Sequence, residues 1–406
     1  MNRTRVPPRD EFSNSFLSEP PDTPLEMTRA LVSVPSVNPD LGGAPEVVGE
    51  ARAARVCEAW LRVWGLAVRT VEPAPDRVGV VAEVSGAGPG PTLLLNGHLD
   101  TVGVEGMTVD PFDPVVRNDR LYGRGSCDMK SGVAAILYTA RELASEKDFS
   151  GKLVVALTPD EEYASIGMLD LLDGGLNADA AVVTEPTSLA IMPANRGFLV
   201  IRVLVRGVAA HGSRPDLGKD AIRGAGRILA AMDLFEERAS EEAPHPLLGR
   251  ASIHAGTIRG GTAVSVYPDR CELTLEIRTL PGEEARDGMD RFRAVLDRAR
   301  EADPELDVEV EEVLFRPGSH LDLEHPLLRA FSRTLEEEGE AVRVEGMSAW
   351  VESALLNEAG IPAFCFGPGA IDKAHTADEF VPVDEVDRAA RVLHRFARSF
   401  LGGGAP

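Results

Sequence analysis

Leu93-Leu94-Leu95-Asn96-Gly97-His98-Leu99-Asp100 is a short apolar run that ends in chemistry-bearing side chains. Its length and composition predict a buried strand whose last residues emerge at a sheet edge. The same texture recurs along the chain. Val154-Val155-Ala156-Leu157-Thr158-Pro159 delivers Asp160-Glu161-Glu162, Ala181-Val182-Val183-Thr184 delivers Glu185, and Phe364-Cys365-Phe366-Gly367 leads on to Ala374-His375. Between them, Gly123-Arg124-Gly125-Ser126-Cys127-Asp128 places another carboxylate just ahead of a helical pattern. Two histidines and three carboxylates converging at strand ends would seat a pair of divalent cations. One carboxylate would bridge them, leaving one His and one acid private to each, which is the layout of a two-metal hydrolytic site.

Outward from these strands, apolar periodicity predicts helices over 24–34 and 46–65 and strands near 67–71, 78–84 and 92–96. A helix over 131–145, a strand over 152–157, a helix over 165–173 and a strand over 180–184 follow. This alternation predicts an α/β fold, a mixed sheet with helices on both faces. The texture then changes. Strand 198–206, helix 218–238, strands 250–258 and 269–278, helix 283–301 and strand 306–313 make a β-α-β-β-α-β order, the ferredoxin-like pattern. Helix 325–338, strand 342–344, helix 351–359, strand 362–366 and helix 383–401 resume the first rhythm. The expected organisation is therefore a catalytic domain over 1–194 and 315–406, interrupted by an inserted lid or dimerisation domain over 195–314.

Composition narrows the function. At 406 residues, with 44% hydrophobic and 26% charged, the chain can bury two cores. A net charge of −23 argues against nucleic acid or an anionic membrane as partner. No apolar run approaches the roughly 18 residues of a spanning helix. The first 21 residues mix Arg, Asp, Glu and Pro without an apolar stretch, so a polar arm rather than a secretion signal is expected. Cys57, Cys127, Cys271 and Cys365 are far apart and lack CxxC spacing, which points to reduced thiols and a cytoplasmic protein.

Each motif also has a plainer reading. His98 and Asp100, two apart on an extended segment, share a side, so the acid can orient an imidazole for metal or simply satisfy a buried one. Asp128 can serve a metal or complement a helix dipole. Adjacent Asp160, Glu161 and Glu162 crowd like charge, which is costly unless a cation or shared proton relieves it; an exposed acidic turn is the alternative. Glu185 can be a ligand or a strand-end acid held by backbone N–H groups. The glycines of 123–132 lack the third glycine and the ribose-binding acid of a nucleotide loop.

Taken together and in this order, the motifs resemble those of the M20 family of metallopeptidases and deacylases, over about residues 26–401. The resemblance implies that His98 and Glu185 hold one ion, Glu162 and His375 the other, and Asp128 bridges. It makes Asp100 the group behind His98 and Glu161 the general base that takes a proton from water held between the ions. It implies two divalent metals, zinc first, with cobalt or manganese as substitutes. In Ala209-Ala210-His211-Gly212-Ser213, it makes His211 the group that polarises the scissile carbonyl, often in a neighbouring subunit's site. Arg278, in Ile277-Arg278-Thr279, would anchor a substrate carboxylate. A homodimer through the inserted domain is the family expectation.

Two departures stand out. Relatives commonly carry Thr-Asp-Ala where Val351-Glu352-Ser353 stands here, and Asn where Ser265 stands; both positions are expected to read substrate. The expected reaction is hydrolysis of the amide of an N-acyl amino acid, of acetylornithine type. A dipeptidase or carboxypeptidase is the second expectation. A non-catalytic, metal-stabilised binding protein is the reading from another class; retention of Glu161 and His211, neither a ligand, speaks against it.

Overall fold

The structure, a computed structural model, describes residues 19–146 and 148–402; most of the expected polar arm and all but the first residue of the tail lie outside them. The chain forms two units. The first comprises Met1–Pro193, Leu321–Glu345 and Val351–Pro406, the second Ala194–His320 and Gly346–Trp350.

In chain order the strands begin with β1 (Ala67–Ala74), β2 (Arg77–Ser85), β3 (Gly88–His98), β4 (Val115–Arg117), β5 (Arg120–Tyr122), β6 (Ser150–Thr158), β7 (Ala180–Val183) and β8 (Ile191–Asn195). Next come β9 (Gly197–Arg206), β10 (Ser252–Gly260), β11 (Arg270–Thr279) and β12 (Asp307–Arg316). The last are β13 (Ser319–His320), β14 (Val344–Met347), β15 (Ala363–Cys365) and β16 (Phe380–Pro382).

The sheet of the first unit runs β1-β2-β6-β3-β7-β15, with Met192 of β8 beside Cys365. β6, β3, β7 and β15 are mutually parallel, while β1 and β2 are antiparallel, so the sheet is mixed as the alternation predicts. Leu93, Leu94, Leu95, Val154, Val155 and Ala156 are all buried. Strands covered on both faces read as continuous apolar runs rather than alternating ones. One face packs on helices Pro24–Val32, Ala51–Val63, Lys130–Glu146, Pro326–Glu337 and Val383–Leu401. Phe331 is the hub there, edge-on to Phe364, Phe366 and Phe396 with centroids 4.8 Å away in each case. Helices Ile166–Asp173 and Ser353–Glu358 pack against β1–β2 and β7–β15.

Register is what builds a site from this sheet. His98 lies opposite Thr158, Asn96 opposite Val183, and Val183 opposite Cys365. The carboxyl ends of β3, β6 and β7 are therefore level, and the residues that follow them leave the sheet along one edge, where open α/β sheets place their ligands.

The second unit is a four-stranded antiparallel sheet, β10-β11-β9-β12, carrying helices Ala221–Ala231, Asp233–Glu241 and Ala285–Ala302. Its own core gathers Leu199, Ile201, Val203, Leu273, Leu275, Ile277 and Phe292. It runs past the expected 195–314 span because β13 pairs with Asn195 and Ala194, and because Trp350 stacks edge-on to Phe198 at 6.0 Å and donates its Nε1–H to Pro317 O. Entry and exit of this unit are neighbours: Ser319 Oγ donates to Asn195 Oδ1 at 2.7 Å, and Leu321 N to Pro193 O at 2.8 Å.

Other departures have local causes. The helix expected over 46–65 begins only at Ala51, because Gly49 sits at φ +102°. The helix expected over 218–238 is two, meeting at Met232. The three-stranded β16-β5-β4 sheet is unanticipated, since runs of three residues carry no readable period.

Candidate metal centre

Six chemistry-bearing side chains gather at this carboxyl edge of the first unit. His98 closes β3. Its Nδ1 lies 3.0 Å from the backbone O of Asp100 and 3.5 Å from that residue's Oδ1. A carbonyl only accepts, so Nδ1 carries a hydrogen there, and Nε2 is the nitrogen left to face Asp128. Asp100 thus meets the imidazole through both its backbone carbonyl and its carboxylate, the carbonyl being the nearer. That carboxylate also accepts from Asn38 Nδ2 at 2.8 Å and from the backbone N–H groups of Glu161 and Glu162, each at 3.1 Å.

Asp128 stands just before helix Lys130–Glu146. Glu379, fully buried, accepts from the backbone N–H groups of Gly125, Cys127 and Asp128 and from Arg124 Nη1 at 2.6 Å. With its backbone pinned, Asp128 turns its two oxygens to different partners: Oδ1 is 3.1 Å from His98 Nε2, and Oδ2 is 3.4 Å from His375 Nε2. Glu162 Oε1 lies 3.1 Å from the same His375 nitrogen. Glu185 Oε1 is 4.0 Å and Glu161 Oε2 3.9 Å from His98 Nε2. Glu185 is held in place by close packing behind it. A Cβ on Gly132, in the first turn of its helix, would lie 2.1 Å from Thr184 O.

Ligand atoms of His98, Asp128 and Glu162 fall within 4.8 Å of one another, and so do those of His98, Glu161 and Glu185. The electrostatics show what such crowding requires. Burial, then repulsion from Glu185, Glu162 and Glu352, drives the Glu161 carboxyl well above the ordinary range despite attraction to His98. Glu185 is pushed the same way by burial and by Asp128. Burial disfavours the His375 cation, but Asp128 and Glu162 outweigh it and lift its pKa to about 11. Glu185 Oε1 is buried without a hydrogen-bond partner. Buried oxygens this dense must be matched by positive charge, whether protons or cations. The donor set, two imidazoles and several carboxylates, fits divalent metal ions of the zinc, cobalt and manganese class.

Glu352 departs from its expected part as a substrate reader. It is 1% exposed, and its Oε2 accepts from Thr158 Oγ1 at 2.7 Å and Asn96 Nδ2 at 3.0 Å, tying β3 and β6 together behind the centre. The other sequence-predicted residues lie in the second unit. His211 and Ser265 are exposed on adjoining segments, joined by Gly212 N donating to Ser265 O at 2.7 Å; His211 Nδ1 is 2.8 Å from Ser213 Oγ. Arg278 is paired with Glu276 at 2.6 Å and lies over the Phe198 ring at 5.7 Å, so a substrate carboxylate would share or displace Glu276. Glu379, Asn38 and Arg77 were not anticipated. Glu379 stands four residues after His375, beyond the stretch quoted above, and Asn38 and Arg77 carry no motif.

The profile of peptidase family M20/M25/M40 matches residues 94–399. The chain belongs to that family. It is a hydrolase of amide bonds, and its curated relatives include an acetylornithine deacetylase of Myxococcus xanthus, 32% identical over 335 residues, covering 81% of this chain and 85% of that protein. An acetylornithine deacetylase of Vibrio cholerae is 30% identical over 384 residues, 93% of this chain and 98% of the relative. Among solved structures, a tripeptidase from Staphylococcus aureus superposes with a TM-score of 0.76 at 21% identity, covering 93% of this chain and 98% of that one. At that identity the likeness establishes a shared fold.

Proposed function

We propose that this enzyme cleaves the amide of an N-acyl amino acid, of acetylornithine type, using two divalent metal ions. The observation that carries this is the division of the Asp128 carboxylate between two imidazoles, Oδ1 toward His98 and Oδ2 toward His375. A single acid facing two separate nitrogen ligands is what a pair of cations needs. We assign His98 and Glu185 to one ion, His375 and Glu162 to the other, and Asp128 to both, with zinc as the first choice and cobalt or manganese as substitutes. Bound there, such ions would polarise the amide carbonyl and acidify water.

Glu161 is the proton carrier in this reading. Its carboxylate is buried among acids that favour proton uptake, and the Asp100 carboxylate fixes its backbone N–H. It takes a proton from the attacking water and hands it to the leaving nitrogen. On the resemblance of their motifs we assign His211 to the carbonyl oxygen, Arg278 to the substrate carboxylate and Ser265 to substrate contact. Glu352 we assign to the frame of the site. The names of the curated relatives support the acetyl group and the amino-acid product. A homodimer through the second unit rests on the family resemblance, and light scattering tests it. A cytoplasmic setting is supported by four free, buried cysteines.

The test is hydrolysis of N-acetyl, N-succinyl and dipeptide substrates by zinc- or cobalt-loaded enzyme, with a chelated control. Chelator-sensitive turnover of the N-acetyl amino acids is expected. Turnover of dipeptides alone would replace this reading with the dipeptidase one. Glu161→Gln should abolish turnover with metal content intact; retained turnover would overturn its role.

A further inference from the structure

Arg77, on β2 and only 6% exposed, meets three carboxylates. Its Nε donates to Glu50 Oε1 at 3.0 Å, its Nη1 to Asp40 Oδ2 at 2.5 Å, and its Nη2 to Asp160 Oδ1. Asn38 donates through one amide nitrogen to that same Asp160 oxygen at 3.0 Å and to Asp100 Oδ2 at 2.8 Å. Asp160, 1% exposed, stands in the left-handed region at φ +71° immediately before Glu161 and Glu162. Its carbonyl accepts from the N–H groups of Ala164 and Ser165, and its Oδ2 from Ile166 N at 3.3 Å. Asp100 accepts from the N–H groups of the next two residues. The turn bearing Glu161 and Glu162 is thus held at Asp160 and at its two following amides, and both holds converge on Arg77 and Asn38.

We infer that Arg77 is a positioning residue for Glu161 and Glu162, acting through Asp160 and through Asn38 to Asp100. It touches neither acid, and the inference rests on the metal-dependent reading of the site. The physical reason is charge. Without the guanidinium, Asp160 and Glu50 are buried carboxylates left beside the Asp100 carboxylate, and like charges in a dry site separate or take up protons. The left-handed Asp160 turn, unusual for a residue with a side chain, persists only while its surroundings impose it. When it relaxes, the acids after it leave their places.

The test compares Arg77→Met with Arg388→Met in the full-length enzyme. Arg388, more exposed than Arg77, pairs with Asp384 on its own helix and with Glu340 in the loop after helix Pro326–Glu337, and its ion pairs involve none of the six residues of the centre. Arg77→Met should lower kcat by about 10- to 100-fold, the usual effect of losing a partner behind a metal ligand, with KM little changed. It should also shift the visible absorption of the cobalt-loaded protein, a direct report on ligand geometry. Arg388→Met should lower the melting temperature while keeping kcat and the cobalt spectrum. Folded Arg77→Met with wild-type kcat and spectrum, or with losses matched by Arg388→Met, overturns the inference. Should Arg77→Met not fold, Asn38→Ala decides: it leaves the guanidinium in place and removes the bridge between Asp160 and Asp100, together with the 2.9 Å cap that Asn38 Oδ1 gives Asp40 N. A shifted cobalt spectrum with reduced kcat upholds the inference, and unchanged values overturn it. If the wild-type enzyme hydrolyses none of the amides, the proposed function fails, whereas the cobalt spectra still decide the role of Arg77.

Discussion

Glu352 shows how much a buried charge costs. Burial, only partly offset by hydrogen bonds from Thr158 and Asn96, lifts its pKa from the ordinary 4.5 to about 7. The folded chain therefore holds a proton that the unfolded chain has lost between these values. The linked stability is fully present at low pH and disappears as pH rises through that window, an effect of about 3 kcal/mol. Glu50, lifted to about 7 chiefly by burial and the neighbouring Asp100, acts with the same sign. In metal-free protein, urea midpoints should fall between pH 5 and pH 7.5, and Glu352→Gln, which keeps the acceptor oxygen, should flatten that slope. An equal slope in the variant would show that Glu352 titrates alike in the folded and unfolded chain. At this scale the sequence was readable where an acid or a His ends an apolar strand, as at His98, Glu162 and Glu185. It was silent on Asn38 and Arg77, whose partners lie as far as 122 residues away and appear only once the sheet has formed.

The same contrast holds for whole elements. Long helices and fully buried strands announce themselves by period and by apolar runs, whereas β4, β5 and β16, three residues each, do not. Two packing contacts differ in whether they reach the site. Gly132→Ala would drive a methyl into the Thr184 carbonyl, forcing helix Lys130–Glu146 off the end of β7. A loss of about 1–3 kcal/mol in urea unfolding is expected, accompanied by weaker metal binding through a displaced Glu185. Phe331→Ala removes the ring on which three others lean and should cost about 3–5 kcal/mol, with no change in metal stoichiometry. Calorimetry with a metal titration separates the two cases.

At the scale of the molecule, ions that bind only the folded chain raise its stability by mass action. The melting temperature should climb with added zinc or cobalt, by about 2.7 kcal/mol of stability at a hundredfold excess over Kd, and chelator should reverse it. His98→Ala should abolish that dependence. Residues 194–320 carry their own sheet and core, so they should fold as an isolated fragment with a cooperative melt. A fragment that stays unfolded would show that Trp350 is indispensable to it. The ferredoxin-like order was readable because its strands alternate, but the return of Gly346–Trp350 was not, since five residues carry no period and only their contacts place them.

The paired Ser319–Asn195 and Leu321–Pro193 hydrogen bonds make the chain's departure from the first unit and its return adjacent in space. In genetic terms the insert is a cassette: its coding segment can be exchanged or diverge at two junctions without redrawing the strands that carry the acids and histidines. Trp350 adds a condition. A donor cassette grafted at 194 and 320 brings a new surface for that indole, so functional chimeras should need residues 346–350 from the same parent.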